Sequence, residues 1–180
     1  MAAVTLNRTY TRPSLMIFST TEPIEGTGGN AGKWDFGSGT VLYLTDDNRE
    51  SLQITPQRIE SKRRMIDGTM RSVHIADKNE FSTSWTNLPS RKTRPTPSTP
   101  DGLSNKITSD SFGAGQDIKD WYDSNLSDFW VLLVFDANVT NAPASSAEKY
   151  NVFFDDFQYD IVKRGQFNDL WDVSISLVEK

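Results

Sequence analysis

The sequence predicts a mainly β protein, an antiparallel sandwich or barrel with one flanking α-helix and long connecting loops. Three observations predict it. Short apolar or alternating runs bounded by turn residues recur from Leu15 to Val178, the pattern of strands with at least one buried face. Only the segment from about Gly115 to Asn125 carries clear helical spacing. Asp67-Gly68 separates two strand-like arms, and this dipeptide suits a tight type I′ turn because both central residues need φ > 0.

Leu15–Phe18 and Thr40–Leu44 read as two buried strands. The stretch between them, Glu25 to Gly39, is rich in glycine and reads as a flexible connection. Leu52 to Ile54 is a third strand. The arms about Asp67-Gly68 are Ile59–Ile66 and Met70–Ile75. The second alternates as a half-buried strand does, with Val73 and Ile75 opposite Ser72 and His74. Phe81–Trp85 alternates again.

Pro89 to about Gln116 is the longest irregular stretch, with Pro89, Pro95, Pro97 and Pro100 among Arg91, Lys92 and Arg94. Proline fixes φ and removes backbone donors, so this segment resists strand and helix alike. It reads either as an extended arm reaching onto a neighbour or as a surface loop.

In the helix, Ile118, Trp121, Tyr122 and Asn125 share a face, and Asp117 sits where the dipole favours negative charge. Phe129–Phe135 is apolar throughout, as in a strand buried on both faces. Tyr150–Phe154 and Phe157–Val162 suggest a hairpin turning at Asp155-Asp156. Leu170–Val178 alternates cleanly and ends the chain, so both termini are expected to be tied into the sheet.

The 180 residues suit a single domain, 1–180, with the extended segment at about 89–116. Ten Phe, five Tyr and five Trp supply one core. Zero Cys excludes disulfides and thiolate metal sites, and one His excludes a His-based zinc centre. No cofactor is implied. The N-terminus lacks the pattern of a secretory signal, and no run reaches the length of a membrane helix. The expectation is therefore a chain without membrane contact, completed in a cytoplasm.

The net charge of −5 conceals a division. Residues 56–106 hold ten Lys and Arg against five Asp and Glu, whereas residues 107–180 hold five against thirteen. Such asymmetry fits self-association, in which the basic part of one copy meets the acidic part of the next. It also fits nucleic-acid contact, or two solvated regions.

Several motifs fail on spacing. Counting back from Gly32-Lys33 puts Thr27 where a P-loop needs glycine, and Trp34 follows the lysine. Asp46 to Gln57 lacks the glycine and glutamate of a calcium loop, having Ser51 and Gln57 there. Asp155 and Asp156 are adjacent, so on a strand they would face opposite ways and could not act as a carboxylate pair. His74 has no nucleophile signature near it. No enzymatic activity is expected. Trp34, in the glycine-rich segment, is the best candidate for sugar stacking, whereas Trp85, Trp121, Trp130 and Trp171 sit in core-like contexts.

Residues 51–88 also carry a resemblance. Arg58-Ile59-Glu60, the basic run Lys62-Arg63-Arg64, Asp67 to Ser72, Ala76-Asp77-Lys78, Phe81 to Trp85 and Leu88-Pro89 resemble a recurrent block of bacteriophage tail structural proteins. The closing Leu170–Leu177 is similar to the last strand of such proteins, and together these cover about a third of the chain. The resemblance implies a tail-tube or distal-tail fold, a β-sandwich or barrel with a flanking helix. It implies assembly into rings, as hexamers, that conduct DNA within a virion tail put together in the host cytoplasm. Its partners would be its own copies and other tail proteins, with DNA only in transit.

On that basis the expected subunit interface comprises Arg58, Lys62, Arg63, Arg64, Asp67, Gly68, Arg71, Arg91, Arg94, Pro95 and Pro97. Lys62, Arg63 and Arg64 should face subunits, because a cationic lumen would hold DNA. The length of the proline-containing segment leaves a tail-tip or baseplate adaptor, or a carbohydrate-binding adhesin, as the alternative.

Overall fold

A computed structural model describes residues 15–26, 34–93, 107–108, 110, 112–135, 147–165 and 168–180. In chain order the elements are β1 (Met16–Ser19), β2 (Ile24–Glu25), β3 (Trp34–Asp35), β4 (Val41–Tyr43), β5 (Gln53–Arg64), β6 (Met70–Pro89), α1 (Gly115–Ser124), β7 (Phe129–Val134), β8 (Ala147–Lys163) and β9 (Leu170–Glu179). Seven strands form one sheet in the order β4-β1-β7-β8-β9-β6-β5, every neighbour antiparallel, and β2–β3 form a separate pair. The mainly β, antiparallel fold with one helix is the one the sequence predicts.

The sheet doubles back on itself through β8. Its first third, Ala147–Val152, pairs with β7, and the rest, Val152–Lys163, pairs with β9. Met16, Phe18, Val131 and Leu133 from one half meet Phe81, Trp85, Val173, Ile175 and Leu177 from the other in a single core. Each such side chain contributes roughly 1.5–3 kcal/mol by leaving water. On β9 this burial falls at alternate residues from Trp171 to Leu177, the period of two that the sequence shows.

The two ends of the sheet are joined by the chain itself. After β4 the backbone turns at Asn48, whose φ of 56° is left-handed, and joins the flank of β6. There Glu50 N–H donates to Ser84 O at 2.8 Å and Thr86 N–H to Asn48 O at 3.1 Å. The buried Trp85 Nε1–H donates to Thr45 O at 2.9 Å, fixing this corner from inside. Among the described residues β4 and β5 do not pair with each other, so the body is barrel-like without being a closed barrel.

A second, smaller core explains the uniformly apolar β7. Ile17, Leu132, Val134 and Ala147 point away from the main core and are covered by Trp34, Phe36 and Val41. The helix closes the main core with Ile118 and Trp121. Asp117 caps its first turn by accepting from Ala114 N–H at 2.9 Å. Gly115 is required by proximity, since a Cβ there would lie 2.9 Å from the Trp171 ring.

Four expectations are corrected. Leu52–Ile54 is not a short separate strand, because β5 runs unbroken from Gln53 to Arg64, through Pro56. Proline is tolerated there because β5 ends the sheet and one side of it needs no donor. Likewise, Met70–Ile75 and Phe81–Trp85 are parts of one 20-residue strand, and its first part is exposed, not half-buried. Asp155-Asp156 is not a turn, since β8 continues through it with a register slip between Phe154 and Asp156. A strand with one face and one edge in water has no need of apolar residues, so the acidic pair is compatible with it. Finally, Gly68 alone is left-handed at the hairpin, with φ +83°. Gly68 N–H donates to Met65 O at 3.0 Å and Met65 N–H to Thr69 O at 2.8 Å. This is the three-residue loop with a left-handed glycine, one position away from a two-residue I′ turn.

Of the glycine-rich connection, residues 27–33 lie outside the described residues, while its flanks pair as β2 and β3. Residues 94–106 and the N-terminal 1–14 also lie outside them.

Candidate assembly surfaces

Pairing between β6 and β9 begins at Glu80↔Val178. From Asn79 outward, β6 has only β5 beside it among the described strands, and the two run to the Asp67-Gly68 turn as a ribbon. Ten further residues of β6, at about 3.4 Å each, carry it roughly 30 Å beyond the sheet. A two-stranded ribbon is marginal in water by itself. This one also exposes Ile59, Ile66, Met70, Val73 and Ile75, with Val73 and Ile75 each 64% exposed.

Register divides the ribbon's side chains between two faces. The face continuous with the core carries Arg58, Glu60, Lys62 and Arg64 on β5 opposite Asp77, His74, Ser72 and Met70 on β6. Its charges largely satisfy one another. Asp77 Oδ1 lies 3.1 Å from His74 Nε2 and 3.1 Å from Arg58 Nε. Glu60 meets Lys62 Nζ at 2.5 Å and accepts from Ser72 Oγ at 2.6 Å. These contacts hold both carboxyls below the usual range, Asp77 chiefly through His74 and Glu60 chiefly through Lys62, and Asp77 raises the Arg58 guanidinium. At the turn, Asp67 is lowered chiefly by the Thr69 hydroxyl, which donates to it at 2.6 Å.

The opposite face is not balanced. It carries Ile59, Ser61 and Arg63 against Ala76, Val73 and Arg71, with Ile75 the extra residue of a bulge. Arg63 and Arg71 are direct cross-strand partners, a like-charge pairing that destabilises a ribbon. Neither they nor Arg64 meets a carboxylate among the described residues.

Followed down the sheet, this same face is polar. Gln53, Ser82, Ser176 and Asp156 form one row across four strands, and Ser84, Ser174 and Gln158 form the next. Toward the end remote from the ribbon, Asp160 stands directly opposite Asp172. Asp172 accepts from Asn87 N–H at 2.8 Å, and Asp160 makes no ion pair among the described residues, although Lys163 and Arg164 follow it.

Among the described residues the outer side of β5 has no partner strand, nor does the β7-facing side of β8 after Val152. Because Met65 N–H points toward β6, alternation turns the N–H groups of Arg64, Lys62, Glu60 and Arg58 outward. Pro56, which lacks an N–H, occupies a position of the same parity. The β5 edge is rich in cations, and the β8 edge carries Asp155, Asp156 and Asp160. Beside the β8 edge, Tyr122 stacks on Phe157 at 4.8 Å and Tyr159 on Trp171 at 5.1 Å, leaving Tyr122 and Tyr159 partly exposed.

Of the residues expected at an interface, Arg58, Lys62, Arg63, Arg64, Asp67, Gly68 and Arg71 are gathered on the ribbon. Arg91 is exposed just past β6, at the other end of that strand, and does not join them. Arg94, Pro95 and Pro97 lie outside the described residues. Sequence reasoning missed the acidic side, Asp156, Asp160 and Asp172. The signal was present in the alternation from Phe157 to Val162, obscured by reading Asp155-Asp156 as a turn. Trp34, the candidate sugar platform, is half-buried against the second core. Among the described residues no group of three or more acidic, His or Cys side chains could hold a metal, and no helix is long and apolar enough to cross a membrane.

Among the described residues the fold and these surfaces define a β protein with open edges on β5 and β8 and a charged projecting ribbon. No protein-family model matches the chain, and no curated protein matches it. Among solved structures it is similar to a chain described as the tail of an empty GTA particle, computed with helical refinement and C6 symmetry. The identity is 9%, the match covers 92% of this chain and 90% of that one, and the TM-score is 0.42. The superposition is loose.

Proposed function

We propose that the chain is a structural subunit of a phage-like tail, its copies joining side by side into rings that form a conduit for DNA. The observation that carries this is the pair of open edges on the four-strand unit β8-β9-β6-β5. Strand direction alternates across the unit, so the β5 of one copy would run antiparallel to the β8 of a rotated neighbour. An even-stranded unit can repeat in this way without a parallel junction. The resemblance of residues 51–88 to tail proteins points the same way.

Six copies would contribute about 24 strands; at ~4.8 Å each, before strand tilt, the perimeter is roughly 115 Å and the backbone-to-backbone bore roughly 37 Å. The hydroxyl, amide and carboxylate rows of the outer face would line the bore. Over the body of the sheet such a lining has little hold on phosphates, as transit requires; Arg63 and Arg71 share this face only on the ribbon, beyond the sheet. The reading assigns no catalysis, no cofactor and no membrane contact. It places the protein in the virion tail with other tail proteins as neighbours.

Electron microscopy and sedimentation of the purified full chain test this. Closed rings are expected, and a monomer persisting at the highest soluble concentration would overturn it.

A further inference from the structure

We propose that the arginine end of the ribbon, Arg63 and Arg71, docks on the Asp160–Asp172 end of the sheet in a second copy. The contact would join copies end to end. The inference rests on the proposed self-assembly and adds a contact distinct from the lateral edges.

Two like-charge pairs stand on one sheet face, Arg63 opposite Arg71 and Asp160 opposite Asp172. Each is unfavourable in an isolated chain, because cross-strand partners share a face at close range. Each becomes favourable when it meets the other. The remaining ribbon charges do not offer the same match, since Arg58 and Lys62 are already paired with Asp77 and Glu60.

The two pairs cannot meet within one copy. Arg71 lies beyond the Glu80↔Val178 end of the β6–β9 ladder, whereas Asp172 lies near its other end, between Trp85↔Val173 and Leu88↔Trp171. The contact therefore uses different patches on the two copies, and such contacts propagate unless a rotation closes them. From Arg71 to the level of Asp172 is about 15 residues of strand, roughly 50 Å, and a strand tilt of about 40° brings the repeat along the stack to roughly 40 Å. The exposed Val73 and Ile75 adjoin the arginines and would be covered with them.

The experiment compares the full chain with two charge-reversed variants, R63D/R71D and D160R/D172R, by electron microscopy and sedimentation. Each variant keeps a like-charge pair where one stood before; D160R/D172R also removes the acceptor of Asn87 N–H, so circular dichroism melts establish that both variants fold before their assembly is compared. Wild type should give stacks that dissolve with added salt. Each variant alone should need at least about tenfold more protein to stack. An equal mixture should stack again, since the acidic ribbon of one variant then meets the basic end of the other.

Rings without stacks in the single variants support the proposal and leave the lateral edges standing. It is overturned if folded variants stack like wild type, if their mixture fails to recover, or if either variant loses rings together with stacks. A wild-type chain that forms neither rings nor stacks would instead overturn the self-assembly reading beneath it.

Discussion

Replacing Lys62 with proline is expected to block lateral assembly while leaving the monomer folded. Lys62 turns its N–H outward on β5, by the alternation that starts at Met65, so the β5–β6 ladder does not use that donor. Proline removes the donor and leaves a carbonyl on the neighbouring β8 edge without a partner. An unsatisfied acceptor inside a joined sheet costs about 1–3 kcal/mol, which weakens each junction roughly 5- to 150-fold. Lys62→Ala is the control. It removes the ion pair with Glu60 but keeps the N–H, and an exposed pair of this kind contributes at most about 1 kcal/mol. Sedimentation across a concentration series reads the association, and thermal melts of the dilute chain read the fold. If the proline variant assembles at the same concentration as the alanine variant, the outward edge of β5 is not a junction.

Three further outcomes follow from the geometry. Trp85→Phe removes the buried indole N–H that Thr45 O accepts, and it leaves a small void. A loss of about 2–4 kcal/mol in urea unfolding is expected. Gly68→Ala meets no neighbouring atom but must hold φ +83°; a cost of about 1–2 kcal/mol should appear as faster amide exchange confined to the ribbon. Glu60, Asp67 and Asp77 all have lowered carboxyl pKa values, so their stabilising contribution is present above the unfolded value near pH 4. It is lost as pH falls through the lower folded values. Ribbon amides should therefore lose protection below about pH 4 before core amides do, and uniform loss would contradict the assignment.

Much of the fold was legible because burial writes periodicity into sequence. Leu170–Val178 alternates since β9 has one face in the core, and Phe129–Val134 does not since β7 is covered on both. The helix and its acidic first turn were legible for similar reasons. Element length was not. β5, the first half of β6 and the end of β8 project beyond the core, and there no apolar period marks a strand. What specifies them is cross-strand pairing, which couples residues such as Arg58 and Asp77 across a long loop of chain. The cationic half of the candidate site was visible as a run in sequence. Of its acidic counterpart the sequence carries only the alternation from Phe157 to Val162; that Asp160 and Asp172 are neighbours follows only from the β8–β9 register.

The corner between β4 and β5 has a mechanical consequence. The ribbon leaves the body along the strand direction, and its β5 arm is continuous with the segment pinned by Trp85 and Thr45. A pull on the tip therefore loads the β5, β6 and β9 ladders lengthwise, so their perpendicular bonds share the force at once. Unzipping one bond at a time would require a sideways pull, which a partner gripping the tip from the end does not apply. Subunits suspended in this way would yield late and all together.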